Sequence, residues 1–369
     1  MKKQKKILIV FPDRHLAYSQ TTLNLLSLLA QKHVVKIAAF KSETYEAVKN
    51  ENIFYIKENP FVFRFLNFVL ANIFFIKSYT RRLILWQKLL VMMHILFNRY
   101  DEFIAVDMRG YWFVKSFTYK KIHLLSLELS PSPDDFINKI NFKRISTIII
   151  QNEERLNYLT SGKFKGRAFF IQNAPTILKD FKKTNASKNK LIYVGTARLQ
   201  FGINYCLDFI KKYPEYELYV HGHVEPEVKA FINSNYSELL SSGRLAFNQT
   251  YLTSEELIEI VSKYRIGFCF YDFKFPEINN FNYLSAPSGK MFTCYAAGVP
   301  IIASNIIGLN SISQFEAGKQ ISKYTPDEIK NAIDLIESNY NSFSQNCLKA
   351  AEHFDFKKNA ALFVDYLEK

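Results

Sequence analysis

Short apolar runs recur along this chain, and segments with apolar residues at helical spacing lie between them. Residues 6–11, 34–40, 102–107, 122–127, 146–150 and 168–172 are such runs. They are too short for helices and mainly apolar, so they read as buried strands. Residues 19–31 carry a helical apolar spacing between the first two runs. This strand–helix–strand opening predicts an α/β fold with a doubly wound parallel sheet. The polar, basic stretch 181–190 reads as a linker, after which the alternation restarts at 191–198 and continues at 216–220, 244–247, 266–271 and 299–303. Two Rossmann-like domains follow, 1–180 and 188–350, with a terminal segment 351–369. At 369 residues each domain can have its own core.

The stretch Tyr283-Leu-Ser-Ala-Pro-Ser-Gly-Lys-Met-Phe-Thr-Cys-Tyr-Ala-Ala-Gly-Val-Pro-Ile-Ile-Ala-Ser304 follows a polar loop, 272–287. A short helix opens at Ser288, its expected N-cap, and stops at Gly298; Pro300 prevents its resumption. The amides of Gly289, Lys290 and Met291 would be unpaired donors beside the Lys290 ammonium, which is an anion site. Gly289 lets a phosphate come close to the backbone.

The run Pro287-Ser-Gly-Lys290-Met-Phe292-Thr293-Cys-Tyr-Ala296-Ala-Gly298-Val-Pro300 resembles the nucleotide-sugar half of retaining GT-B-fold glycosyltransferases, the family-4-like, bacterial surface-polysaccharide type. Two departures stand out. Thr293 occupies the place of the family's ribose-gripping Glu, and Ser285 that of its partner Glu. Gly195-Thr-Ala-Arg198 is similar to the family's Val-Gly-Arg-Leu, with Phe201 in place of a Lys. The resemblance implies two domains with an interdomain cleft, and a helix over 354–367 crossing back to the first domain. It also implies sugar transfer from a nucleotide-diphosphate donor, with retention, to a glycan or lipid-linked acceptor. Lys290 and Arg198 would stabilise the leaving diphosphate. Ser288, Gly289, Met291, Thr293 and Gly195 would line the donor site, Tyr251 and Leu252 the base pocket, and Asn282 the sugar hydroxyls. In the first domain, Asp107 and Glu128 would meet the acceptor hydroxyl, and Arg109, Arg14 and His15 a phosphate. No cofactor or metal is expected: the nucleotide sugar is a substrate, and a helix N-terminus with a Lys can replace a divalent cation. His221 and His223 read as a turn, and His123 as a core residue. Two other readings are a nucleotide-sugar epimerase of the same fold and a non-catalytic membrane-docked scaffold. The absent Glu pair argues against the first; Thr293 permits the second.

Charge adds a partner. Residues 1–185 carry 30 Lys and Arg against 14 Asp and Glu, and the rest 18 against 20. The basic half is not the half with the phosphate motif, so a large anionic surface is the better reason for the excess. Residues 59–100 contain no Asp or Glu; Arg64, Lys77, Arg81, Arg82, Lys88 and Arg99 stand among many Phe residues and Trp86. Helices over 61–77 and 79–98 fit this stretch, each short of a membrane span. Their composition predicts contact with an anionic membrane surface, or, alternatively, core helices whose basic residues face water. No nucleic-acid module is recognisable. Four widely spaced cysteines fit a reducing cytoplasm, and the apolar run 7–11 is too short for a leader. The expected location is therefore cytoplasmic, peripheral on the inner face of the cell membrane.

Overall fold

The computed structural model describes residues 4–41, 47–129, 140–178, 181, 183–184, 186–250 and 252–368. They form two compact units, Met1–Gln172 with Lys357–Lys369, and Asn173–Phe356. The boundaries expected from the sequence are 180, 188 and 350.

Unit 1 holds seven strands: β1 (Lys6–Val10), β2 (Val34–Phe40), β3 (Ile53–Ile56), β4 (Glu102–Val106), β5 (Lys121–Leu125), β6 (Ile145–Ile150) and β7 (Arg167–Phe170). All pair in parallel, in the order β3-β2-β1-β4-β5-β6-β7. Unit 2 holds β8 (Lys190–Val194), β9 (Glu217–His221), β10 (Leu245–Asn248), β11 (Ile266–Cys269), β12 (Ile301–Ser304) and β13 (Gly318–Ile321). Their order is β10-β9-β8-β11-β12-β13, again parallel. Each sheet reverses its winding beside its first strand, between β1 and β4 and between β8 and β11. The carboxyl ends at such a reversal are where open parallel sheets bind ligands. The two doubly wound α/β domains are those the alternation predicts.

Apolar runs suit strands with two covered faces. In β8, Leu191 and Tyr193 enter one core, while Ile192 and Val194 enter the core on the opposite face. Edge strand β3 did not stand out in the sequence, because it is four residues long and only Ile56 is buried.

Residues 59–100 form a helical hairpin. Pro60–Asn72 is capped by the Asn59 side chain, which accepts from the amides of Phe61 and Val62. This helix ends five residues before the expected 77, and the chain turns through Phe75 at φ 52°. Arg82 holds the turn, donating to Asn67 Oδ1 at 2.6 Å and to the carbonyls of Ile76 and Lys77. The second helix, Tyr79–Phe97, buries Ile84, Trp86, Val91 and Ile95 and is half core, whereas Pro60–Asn72 buries no residue. Among the described residues, no helix is long and apolar enough to cross a membrane.

The helix Phe356–Leu367 completes unit 1. Its Phe363 meets His123 and Phe169 edge-on, with ring centroids 5.4 Å apart in each case. His123 is wholly buried on β5, between Glu102 Oε2 (3.0 Å) and Thr147 Oγ1 (2.8 Å).

Candidate functional site

In unit 2 the site is built at the carboxyl ends of β8 and β11. The helix Gly289–Ala296 sits there because Met291, Phe292, Cys294 and Tyr295 anchor its inner face in the core. It ends in a Schellman motif. Gly298 at φ 64° donates to the Tyr295 carbonyl, and Val299 to that of Cys294.

Lys290 leaves this helix toward β8. Its stem crosses Gly195, where a Cβ would lie 3.3 Å from Lys290 Cε; φ is +93° there, so glycine is required twice over. The ammonium donates to Tyr193 Oη at 2.8 Å, and Tyr193 donates onward to the Phe201 carbonyl at 3.1 Å. Three rings surround it, with centroids at 4.2 Å (Tyr193), 5.1 Å (Phe201) and 6.0 Å (Tyr271). Desolvation among these rings pushes the Lys290 pKa down to about 8. Among the described residues, only one of its three protons has an acceptor. The amides of Gly289 and Lys290 likewise have no backbone acceptor among the described residues. A cation with protons to spare thus stands at a helix N-terminus, and the arrangement can receive an anion.

Other expected donor residues fit less well. Ser288 occupies the N-cap position, but its side chain makes no cap hydrogen bond and instead accepts from Tyr271 Oη at 3.2 Å. The Met291 amide is not open: it donates to the Ser288 carbonyl at 3.1 Å, and the Met291 side chain is buried in the core. Thr293 Oγ1 donates to the Gly289 carbonyl one turn back, and Ser285 Oγ to that of Phe281. Both hydroxyls are short and turned to their own helices, which is why neither replaces a ribose-gripping Glu. Arg198 is engaged by Glu225, with Nε and Nη2 at 3.0 and 2.7 Å from one carboxylate oxygen. Its guanidinium still lies 5.7 Å from the Phe201 ring that Lys290 also approaches. Leu252 is partly buried just after β10, and Asn282 lies on the short helix Phe281–Ser285 inside what was expected to be loop. Tyr251 lies outside the described residues. Gly289 faces the Asn173 amide, which would be 3.2 Å from an added Cβ. His221 is buried, and its carbonyl accepts from the Gly195 amide at 2.7 Å; His223 is exposed, 3.7 Å from Glu225.

In unit 1 the expected residues cluster at the ends of β1, β4 and β5. Asp107 follows β4 directly and starts the helix Asp107–Val114 at φ 54°, a rare conformation for a residue with a side chain. Its Oδ1 accepts from the amides of Leu127 (2.6 Å) and Glu128 (2.9 Å), past the end of β5. Burial pushes the Asp107 carboxyl up to about 8; the Glu128 charge adds to this, and the two amides oppose it. Glu128 itself is exposed. Arg109 pairs with Asp13 at 2.8 Å, and Arg14 with Glu58 at 2.6 Å, so neither expected phosphate contact stands apart from a carboxylate. His15 is exposed, its ring edge-on to Phe11.

Sequence reasoning missed Tyr193, Phe201 as a cation shelf, Tyr271, Glu225, Asp13 and the fully buried Arg155, which donates to the Leu127 carbonyl at 2.9 Å. Tyr193 alternates with core residues on a strand and reads as core. The carboxylates could be found only by knowing which strand ends are neighbours.

No family model matches this chain, and no curated protein does. Solved structures do. Sucrose-phosphate synthase from Thermosynechococcus elongatus is similar, with a TM-score of 0.68 at 14% identity, over 99% of this chain and 98% of that one. Anabaena HepE in complex with UDP-glucose gives 0.65 at 12% identity, over 99% of both chains. A Listeria monocytogenes protein described as a UDP-N-acetylglucosamine 2-epimerase gives 0.62 at 14%, over 100% and 98%.

Proposed function

From the two Rossmann-like units of a GT-B fold, we propose that this protein is a glycosyltransferase. It moves a sugar from a nucleoside-diphosphate donor to a glycan or lipid-linked acceptor, with retention, at the inner face of a membrane. The observation that carries this reading is the Lys290 ammonium, ringed by Tyr193, Phe201 and Tyr271 beside the open amides of Gly289 and Lys290. As the glycosidic bond breaks, the leaving diphosphate gains negative charge. Amides and a cation already fixed in place stabilise that charge without reorganising. Arg198 joins them when it exchanges Glu225 for the diphosphate. Asp107 and Glu128, at the strand ends of unit 1, meet the acceptor hydroxyl. The likeness to HepE with UDP-glucose supports a sugar nucleotide as donor.

A single assay tests this. The chain is incubated with a panel of UDP-, ADP- and GDP-sugars, with and without glycan and lipid-phosphate acceptors, and nucleotide release and sugar identity are followed. Nucleotide release coupled to a lengthened acceptor is expected. Binding without any turnover leaves the scaffold reading. An isomerised sugar nucleotide with no acceptor product leaves the epimerase, against which Ser285 and Thr293 count, since neither supplies an acid–base carboxylate.

A further inference from the structure

Unit 1 contains a cavity of about 780 Å³, within the range of small-molecule sites. It lies beyond the carboxyl end of β3 and reaches Arg14, in the loop after β1. Tyr55, Phe63, Tyr79 and Trp86 give it aromatic walls, while Arg14, Lys41 and Lys57 are its cations. Among the described residues, the one carboxylate in the lining, Glu58, is already committed: it accepts from Arg14 at 2.6 Å and from Gln87 at 3.3 Å. With Glu58 balancing Arg14, the charges of Lys41 and Lys57 remain uncompensated among the described residues of the lining. Trp86 is 4% exposed, and its indole N–H has no acceptor among the described residues. The indole nitrogen is itself buried, so Trp86 contributes its ring to the wall and not its N–H.

Phe63 turns into this cavity and packs near Tyr79 and Trp86, with ring centroids at 5.9 and 6.4 Å. Its neighbours on the same helix, Phe61, Phe65 and Phe68, face outward and are 63–77% exposed. The cavity wall is therefore continuous, through one helix, with an outward apolar face.

We propose that this cavity binds a phosphate ester whose other substituent is apolar. The dianionic phosphate sits between Lys41 and Lys57, and the apolar chain runs along Phe63, Tyr79 and Leu83. That this ligand is the acceptor rests on the transferase reading above; the binding itself does not.

Calorimetry on the full chain with farnesyl phosphate, farnesol, glucose 1-phosphate and inorganic phosphate tests it. Farnesyl phosphate is expected to bind saturably, roughly tenfold or more tighter than each of the other three. Changing Lys41→Gln and Lys57→Gln together should weaken it at least about tenfold, the scale of losing a charge-assisted hydrogen bond. Both lysines are exposed, so the thermal midpoint of the double variant should match wild type. Farnesol binding as tightly as its phosphate, glucose 1-phosphate binding more tightly, or unchanged affinity in the lysine double variant would each overturn the proposal. UDP-sugar turnover with no farnesyl phosphate binding would leave the transferase reading standing without this site. Binding without turnover would do the reverse.

Discussion

Lys290 and Asp107 carry opposite charges when ionised, yet desolvation has moved both toward neutral pH. For Lys290→Ala we expect turnover to fall roughly 10², the scale of one fixed oxyanion donor; near-normal turnover with the right sugar nucleotide would remove Lys290 from the chemistry. Its titration gives a second readout. Above pH 8 the empty site loses its cation, while a bound diphosphate draws the proton back. Donor binding between pH 8 and 9 should therefore take up protons, seen as a buffer-dependent calorimetric enthalpy. Asp107 has its pKa raised to about 8 from 3.8. Its contribution to stability is present in full below the unfolded value and is lost as pH rises through 8. Asp107→Asn keeps the acceptor oxygen and tolerates the positive φ. It should melt higher than wild type at pH 9 and transfer sugar poorly; a variant with full activity would make Asp107 a turn residue only. Lys290 was legible because Pro-Ser-Gly-Lys announces a helix start. Its surroundings were not, since Tyr193 lies 97 residues away and looks like any strand aromatic.

At the scale of elements, apolar runs announced the longer strands, because a parallel strand covered on both faces has no polar side to confuse the reading. The hairpin 60–97 was legible in kind and misread in detail. Arg82 is a structural clamp on the turn. Lys88 lies 3.7 Å from the Trp112 ring centroid, donates to Ser116, and is pushed by burial to about 8. Neither points its charge outward, and sequence alone gives every basic residue of a helix equal standing. Arg64, Lys77, Arg81 and Arg99 are exposed, and the first three lie near Phe61, Phe65, Phe74 and Phe75 along the chain. Changing these three to Gln should weaken binding to anionic vesicles by roughly a hundredfold, at about 1 kcal/mol for each basic residue at the surface. Neutral vesicles should respond far less, and turnover on a water-soluble acceptor should persist. Equal sedimentation of variant and wild type with anionic vesicles would end the membrane reading of this hairpin.

For the molecule as a whole, the two-unit division follows from a repeated alternation, and it was the most legible feature of all. The return of Phe356–Leu367 to unit 1 was suggested only by resemblance, since nothing in an amphipathic helix names its destination. Removing residues 357–369 should uncover His123 and Phe169, lower the melting temperature of unit 1 and leave unit 2 intact. Limited proteolysis would read this as selective loss of fragments from 1–172; equal loss from both units would contradict it. The same helix sets a timetable during synthesis. Unit 1 is started first and finished last, because its closing helix is translated only after every residue of unit 2. At roughly 5–20 residues per second, the ribosome leaves the His123–Phe169 face uncovered for about 10–40 s. For that interval the nascent chain carries an open hydrophobic seam, which ties the maturation of unit 1 to the speed at which unit 2 is translated.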